Sequence, residues 1–154
     1  MEWTTLISTL AGALIGISAT VVTERSRSRR ERLADDLTVR RGAYADYLAA
    51  LSRTRVDIRA AARDAATPPN VRAEKAVAAF YDSGVYDRRY QVAVVAPMAV
   101  VEASDRMFRA LRALRDRVVD GALRVDSAYR DQANATEDAL AELLRLIRLD
   151  LGTD

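Results

Sequence analysis

Residues 33–66 read LADDLTVRRGAYADYLAALSRTRVDIRAAARDAA, and this stretch decides the fold. It contains no proline and a single glycine, and apolar side chains recur in it every seven residues. The residues at this period are Leu37, Tyr44, Leu51, Ile58 and Ala65, supported at neighbouring offsets by Leu33, Tyr47, Leu48 and Ala62. A period of seven places these side chains on one face of an α-helix, as in a coiled coil. The stretch therefore predicts a long amphipathic helix that packs against other helices.

The same pattern predicts four helices in this part of the chain, over about 24–66, 71–96, 98–120 and 127–149. The first ends at Thr67-Pro68-Pro69-Asn70, because proline lacks the N–H donor and restricts the residue before it. Whether Gly84 and Pro97 break helices or only bend them stays open. The expected apolar face of the second helix comprises Val77, Phe80, Tyr81, Val92 and Val95. That of the third comprises Val100, Met107, Leu111, Leu114 and Val118. That of the fourth comprises Tyr129, Ala133, Thr136, Leu140, Leu143 and Ile147.

These lengths indicate an all-α protein with a bundle architecture. We expect the segment 71–120 to return antiparallel to the first helix after the short Pro68-Pro69 turn, and the last helix to fold back across it. The predicted fold is an N-terminal single transmembrane helix, residues 1–23, that continues into an antiparallel three- or four-helix bundle or coiled-coil hairpin, residues 24–154.

Composition excludes several classes of enzyme. The chain of 154 residues has no Cys and no His, so disulfides, Cys or His zinc sites, catalytic triads and cysteine nucleophiles are absent. No glycine-rich phosphate loop occurs. The carboxylates Glu102 and Asp105, and Asp57 and Asp64 in part, share helix faces, but they are spaced for surface ion pairs with Arg59, Arg63, Arg106 and Arg109. We therefore expect a protein without catalytic residues, metal or cofactor.

The N-terminus predicts a membrane anchor. From Trp3 to Val22 no residue is charged, and a helix of this length spans about 30 Å, the thickness of the hydrocarbon core. Five arginines and two glutamates follow within residues 24–32, which is typical of the cytoplasmic side of a span. The expected protein lies in the cell membrane with its N-terminus outside and its C-terminal part in the cytoplasm. A cleavable signal peptide, a buried core helix and a surface-lying helix are the alternative interpretations.

One candidate site lies within this anchor and a second directly follows it. The small residues Ser8, Gly12, Gly16 and Thr20 recur every fourth position, which favours close packing of a second membrane helix and hence a homo-oligomer. The basic cluster comprises Arg25, Arg27, Arg29, Arg30 and Arg32. It would set topology and attract anionic lipid head groups, at about 1 kcal/mol per basic residue. A second arginine-dense stretch, on the third predicted helix, is either a partner-binding face or a solvated one: Arg106, Arg109, Arg112, Arg115 and Arg117.

Several short motifs resemble a known group of proteins. They are Trp3-Thr4-Thr5-Leu6, Ala11–Gly16, Glu24-Arg25, Arg-Arg-Glu-Arg at 29–32, and Tyr44-x-x-Tyr47-Leu48. In these the chain resembles small actinobacterial membrane-anchored helical proteins, some of them KilB-type plasmid transfer or spread proteins of conjugative elements. The resemblance implies a membrane-associated accessory role and carries over no catalytic residue.

Two functional hypotheses follow from the sequence. The first is a non-enzymatic, single-span membrane protein whose cytoplasmic bundle scaffolds or recruits an unidentified protein partner, as a homo-oligomer. The second is a membrane-tethered accessory protein of DNA transfer that binds nucleic acid through the basic cluster, although no recognition helix or stacking platform accompanies those arginines. A third hypothesis is a toxin whose span damages the membrane of its host.

Overall fold

The computed structural model describes residues 34–153 of the chain. Within these residues the protein forms five helices and no strand, which confirms the all-α prediction for this part of the chain. Of the described residues, those up to Thr38 belong to one unit and those from Val39 onward to another. The helices are α1 (34–61), α2 (Pro69–Asp82), α3 (Val85–Val95), α4 (Met98–Val119) and α5 (Ser127–Leu151).

None of the helices among residues 34–153 combines the length and the apolar character that crossing a membrane requires. The predicted anchor, Trp3–Val22, lies outside the described residues.

The second predicted helix, 71–96, is two helices. Gly84 adopts the left-handed conformation, with φ of 69°, and separates α2 from α3. Just before this break, the Ser83 hydroxyl accepts a buried hydrogen bond of 2.8 Å from the Thr54 hydroxyl of α1. Pro97 separates α3 from α4, because the residue before it, Ala96, is extended. Gly84 and Pro97 therefore both end helices.

The first helix ends five residues before the predicted limit. Its last described helical residue is 61, and the chain then turns around Asp64. The Asp64 carboxylate accepts hydrogen bonds from the Ala66 amide at 2.9 Å and from the Thr67 hydroxyl at 2.6 Å. Short polar side chains that bond to nearby backbone in this way compete with helix. The turn thus begins before the two prolines are reached.

The directions of the helices follow from bonds between them. Thr54 bonds Ser83 while Asp46 pairs with Arg88, so α3 runs antiparallel to α1. Helix α2 opposes α4, since Arg72 donates to the carbonyl oxygen of Gly121 just past α4 while Phe80 meets Phe108 within it. By contrast, α4 runs in the same direction as α1. Tyr47 donates to the carbonyl oxygen of Ser104 at 3.2 Å, and further along the Arg124 amide, just past α4, donates to the Ala62 carbonyl oxygen at 2.9 Å. The expectation that all of 71–120 opposes the first helix is therefore wrong for α4, because the Ala96-Pro97 corner reverses the chain.

Helix α5 closes the bundle. It is antiparallel to α1, since Arg40 pairs with Asp150 while Arg55, further along α1, pairs with Glu137. The residues from Val39 onward thus form a helical bundle in which α1, the α2–α3 pair, α4 and α5 alternate in direction.

The core contains most of the predicted apolar faces. On α1 Tyr44, Leu51 and Ile58 are buried, and Ala65, beyond the helix end, is exposed. On α2 Phe80 is buried, and its ring meets Phe108 of α4 edge-on at 5.7 Å. The predicted stripes of α4 and α5 lie against this core, with these members fully buried: Val100, Met107, Leu111, Leu114, Val118, Tyr129, Thr136, Leu143 and Ile147.

Candidate interaction surface on helix α3

The site residues predicted near the membrane, Ser8, Gly12, Gly16, Thr20, Arg25, Arg27, Arg29, Arg30 and Arg32, lie outside the described residues. Of the carboxylates considered for chemistry, Asp105 pairs with Arg89 at 3.4 Å. Asp64 is used by its own turn, and the hydrogen bonds from Thr67 and Ala66 lower its pKa. No group of three or more acidic residues within 34–153 is placed to hold a metal ion.

A line of exposed or partly exposed apolar side chains follows α3. Tyr90 is 61% exposed, Val94 84% and Met98, the first residue of α4, 69%. Tyr86 precedes Tyr90 by four residues and Tyr90 precedes Val94 by four, so these side chains are neighbours on one stripe of the helix. Tyr81 of α2 extends the line. We call the five residues Tyr81, Tyr86, Tyr90, Val94 and Met98 the α3 row.

The α3 row is fixed to the core of the bundle by aromatic contacts. The ring of Tyr81 stacks on Tyr86 at 6.1 Å. Tyr86 in turn meets Phe108 at 5.1 Å and Phe80 at 6.0 Å. Aromatic pairs at such distances prefer defined geometries, which restrict the side chains. Tyr81 and Tyr86 are therefore held in an ordered arrangement.

Two arginines border the α3 row and are paired within the protein. The guanidinium of Arg89 lies 4.6 Å from the ring centre of Phe108 and 5.1 Å from that of Tyr90, and it bonds Asp105. Arg88 pairs with Asp46 of α1 at 2.9 Å and also donates to Gln91. Both guanidiniums already have acidic partners, so the surface of the row itself is uncharged and largely apolar.

A shallow apolar groove continues the surface toward α1. It has a volume of about 350 Å³ and lies between α1 and α3. Val39, at its edge, is 56% exposed. The lining residues are Val39, Ala43, Asp46, Gln91, Val94 and Val95.

Helix α3 is apolar on two opposite sides. Val85 and Val92 are fully buried against the bundle, whereas Tyr90 and Val94 face outward. A helix at the surface of a single bundle needs one apolar face, and an apolar patch on the other side is typical of an interaction site. Tyrosine is also enriched among the residues that dominate binding energy at protein interfaces. The arrangement is suited to docking another protein.

Sequence reasoning placed Tyr81 in the core, and this was wrong, because Tyr81 is 71% exposed. In one unbroken helix Tyr81 would share a face with Val85, four residues later, which is buried. Tyr81 faces outward because α2 buries Ala76, Ala79 and Phe80 instead, and the left-handed Gly84 lets α3 begin in a different helical phase that buries Val85. A glycine next to a serine within an apolar pattern was the signal for this break.

No known protein family, no curated protein sequence and no solved structure matches this chain.

Proposed function

We propose that this protein is a non-enzymatic, single-span membrane protein that acts as an oligomeric scaffold. In this proposal Trp3–Val22 holds the chain in the membrane, and the α3 row joins the cytoplasmic bundle to a second copy of itself. The observation that carries the proposal is the exposure of Tyr90, Val94 and Met98 on a helix whose opposite side is already buried. Burial of such a surface provides a favourable free energy of association.

A second copy is the partner that best agrees with the chemistry of this surface. The row consists of uncharged side chains, and the bordering arginines Arg88 and Arg89 are paired within the chain. Recognition through apolar contacts alone is compatible with an identical surface, and symmetric self-association is the commonest form of assembly. The small-residue groove of Ser8, Gly12, Gly16 and Thr20 favours self-association of the anchor as well.

Self-association would strengthen the binding of a cytoplasmic partner to the scaffold. Each additional copy repeats the remaining surface of the bundle, and repeated sites bind a multivalent cytoplasmic protein more tightly without any new contact. The proposal also agrees with the membrane-associated accessory role that the resemblance to KilB-type spread proteins implies.

Photo-crosslinking tests the interface. A photoreactive amino acid is placed at Val94 in the full-length protein and irradiated in intact membranes. We expect a covalent dimer of the chain. The matched control places the same group at Val56, an exposed valine of α1 outside the row, and we expect no dimer there. Absence of a dimer at Val94, or capture of a different protein there, contradicts self-association through the row.

Fractionation tests the anchor separately. We expect the protein to stay in the membrane pellet after alkaline carbonate, and a C-terminal tag to be protected from protease added to spheroplasts. Release into the soluble fraction contradicts the anchor. Steeply salt-dependent DNA binding that disappears when Arg25, Arg27, Arg29, Arg30 and Arg32 are neutralised would instead support the DNA-transfer alternative.

A further inference from the structure

A basic groove lies between α1 and α5, beside the turn that joins α4 to α5. Its volume is about 330 Å³. It is distinct from the α3 row, and no residue is shared between them. The residues that matter for its chemistry are Arg59, Arg124, Tyr129, Arg130, Asn134 and Glu137. We call these six residues the basic groove.

The basic groove contains more positive than negative charge. Three of its residues are arginines, and Glu137 is the single carboxylate among them. That carboxylate is already shared, because it pairs with Arg55 next to the groove and lies 3.6 Å from Arg59. Arg124 and Arg130 have no ion pair within residues 34–153. Like charges gathered in this way repel one another, and a bound anion would relieve the repulsion.

Hydrogen bonds from backbone amides hold the turn that forms one side of the groove. The amide of Arg124 donates to the carbonyl oxygen of Ala62 at 2.9 Å, which fixes the turn against the end of α1. The Asp126 carboxylate accepts a bond from the Leu123 amide at 2.7 Å, and the Asp126 carbonyl oxygen accepts one from the Arg130 amide at 3.0 Å. The arginines therefore extend from backbone positions that are already ordered, which lowers the entropic cost of binding.

Tyr129 supplies a neutral donor at the floor of the groove. Its side chain is almost fully buried, at 3% exposure. Burial raises the pKa of its hydroxyl, although the nearby guanidiniums of Arg59 and Arg124 oppose the change. The hydroxyl is therefore protonated at neutral pH. The guanidinium of Arg59 lies close to this hydroxyl, which keeps its own proton for donation to a ligand.

We propose that the basic groove binds the phosphate group of a small phosphate monoester. Arginine forks match the geometry of phosphate oxygens and form charge-assisted hydrogen bonds with them. In this arrangement Arg124 and Arg130 bind the oxygens, while the Tyr129 hydroxyl and the Asn134 amide donate to them. A dianion offsets the excess charge better than a monoanion does. The volume, roughly ten times the share of one water in the liquid, leaves room for a small group beyond the phosphate.

Calorimetric titration of the full-length protein in mild detergent tests the proposal, with inorganic phosphate as the probe. Ionic strength is held constant with sodium chloride, and acetate serves as the monoanionic comparison. We expect saturable one-site binding of phosphate, with acetate at least about tenfold weaker. Arg124→Gln and Arg130→Gln should each weaken phosphate binding about tenfold, and Tyr129→Phe about threefold.

The matched controls are Arg109→Gln and Arg112→Gln, at exposed arginines of α4 outside the groove. They remove the same charge and should leave phosphate binding unchanged. Far-UV circular dichroism establishes that each variant is folded. Absence of saturable phosphate binding to the wild-type chain overturns the proposal. So does an equal loss of binding in the groove variants and the α4 controls, since that result reports net charge alone.

Discussion

Tyr81 at the end of α2 stacks on Tyr86 of α3, with ring centroids 6.1 Å apart and an angle of 28° between the planes. The two residues lie on either side of the helix break at Gly84, whose φ is 69°. The stacking therefore depends on the direction in which the chain leaves that glycine. One backbone conformation thus sets both the phase of α3 and the start of the α3 row.

Gly84→Ala should lower the free energy of unfolding by about 1–2 kcal/mol. No atom lies within 4 Å of an added Cβ at this position, so the cost is conformational strain at positive φ and not a steric clash. Chemical unfolding of the full-length protein in detergent measures the change. Gly42→Ala is the matched control, because Gly42 lies within α1 and also has open space around its Cβ. That substitution should stabilise the protein by about 0.5–1 kcal/mol. Equal effects of the two substitutions would contradict the role of Gly84.

The sequence predicted the helical class and most of the core, because helical periodicity reports directly which face is buried. The stripe from Val100 to Val118 was identified correctly, since α4 has no internal break. Tyr81 was placed wrongly because periodicity carries no information about a change of phase at Gly84. The basic groove could not be predicted at all. Arg59 and Arg124 are brought together by the packing of α1 against the turn before α5, which no local pattern encodes.

Asp150→Asn should lower the free energy of unfolding by about 1–3 kcal/mol. The Asp150 carboxylate accepts a 2.6 Å hydrogen bond from the Tyr44 hydroxyl and a 3.0 Å bond from Arg40. Its side chain is only 9% exposed. A neutral amide at this position would therefore weaken the interaction with the Arg40 guanidinium where little water can replace it. Chemical unfolding again provides the measurement. Glu142→Gln is the control, because Glu142 pairs with Arg145 on the open surface. There we expect no measurable change. A loss at Glu142 as large as that at Asp150 would refute this explanation.

Stability should fall in alkali because of Tyr47. Burial raises the pKa of the Tyr47 hydroxyl from its ordinary value of 10.0 to about 12. Between these two values the folded protein retains a proton that the unfolded chain has lost. The contribution of the Tyr47 hydroxyl to the free energy of unfolding is therefore complete below pH 10. It is lost as the pH rises toward 12, and the free energy of unfolding falls by up to about 1.4 kcal/mol per pH unit.

Tyr47→Phe isolates this effect. At neutral pH the substitution should cost about 1 kcal/mol, because the hydroxyl no longer donates to the Ser104 carbonyl oxygen. Above pH 10 the wild-type protein should lose stability faster than the variant, so the difference between the two narrows. The measurement is the free energy of unfolding of both proteins from pH 8 to 11.5. Parallel curves across this range would contradict the raised pKa.

The most direct test of the account is the self-association of full-length Val94→Asp in lipid vesicles. Copies with donor and acceptor fluorophores are reconstituted together, and energy transfer is measured as a function of the protein-to-lipid ratio. Val94 is 84% exposed and Val56 59%, so neither Val94→Asp nor the control Val56→Asp should affect folding. We predict that Val94→Asp weakens association at least about tenfold, because a charge is buried in the apolar interface. The control Val56→Asp should associate like the wild type. Undiminished energy transfer in Val94→Asp would contradict association through the α3 row.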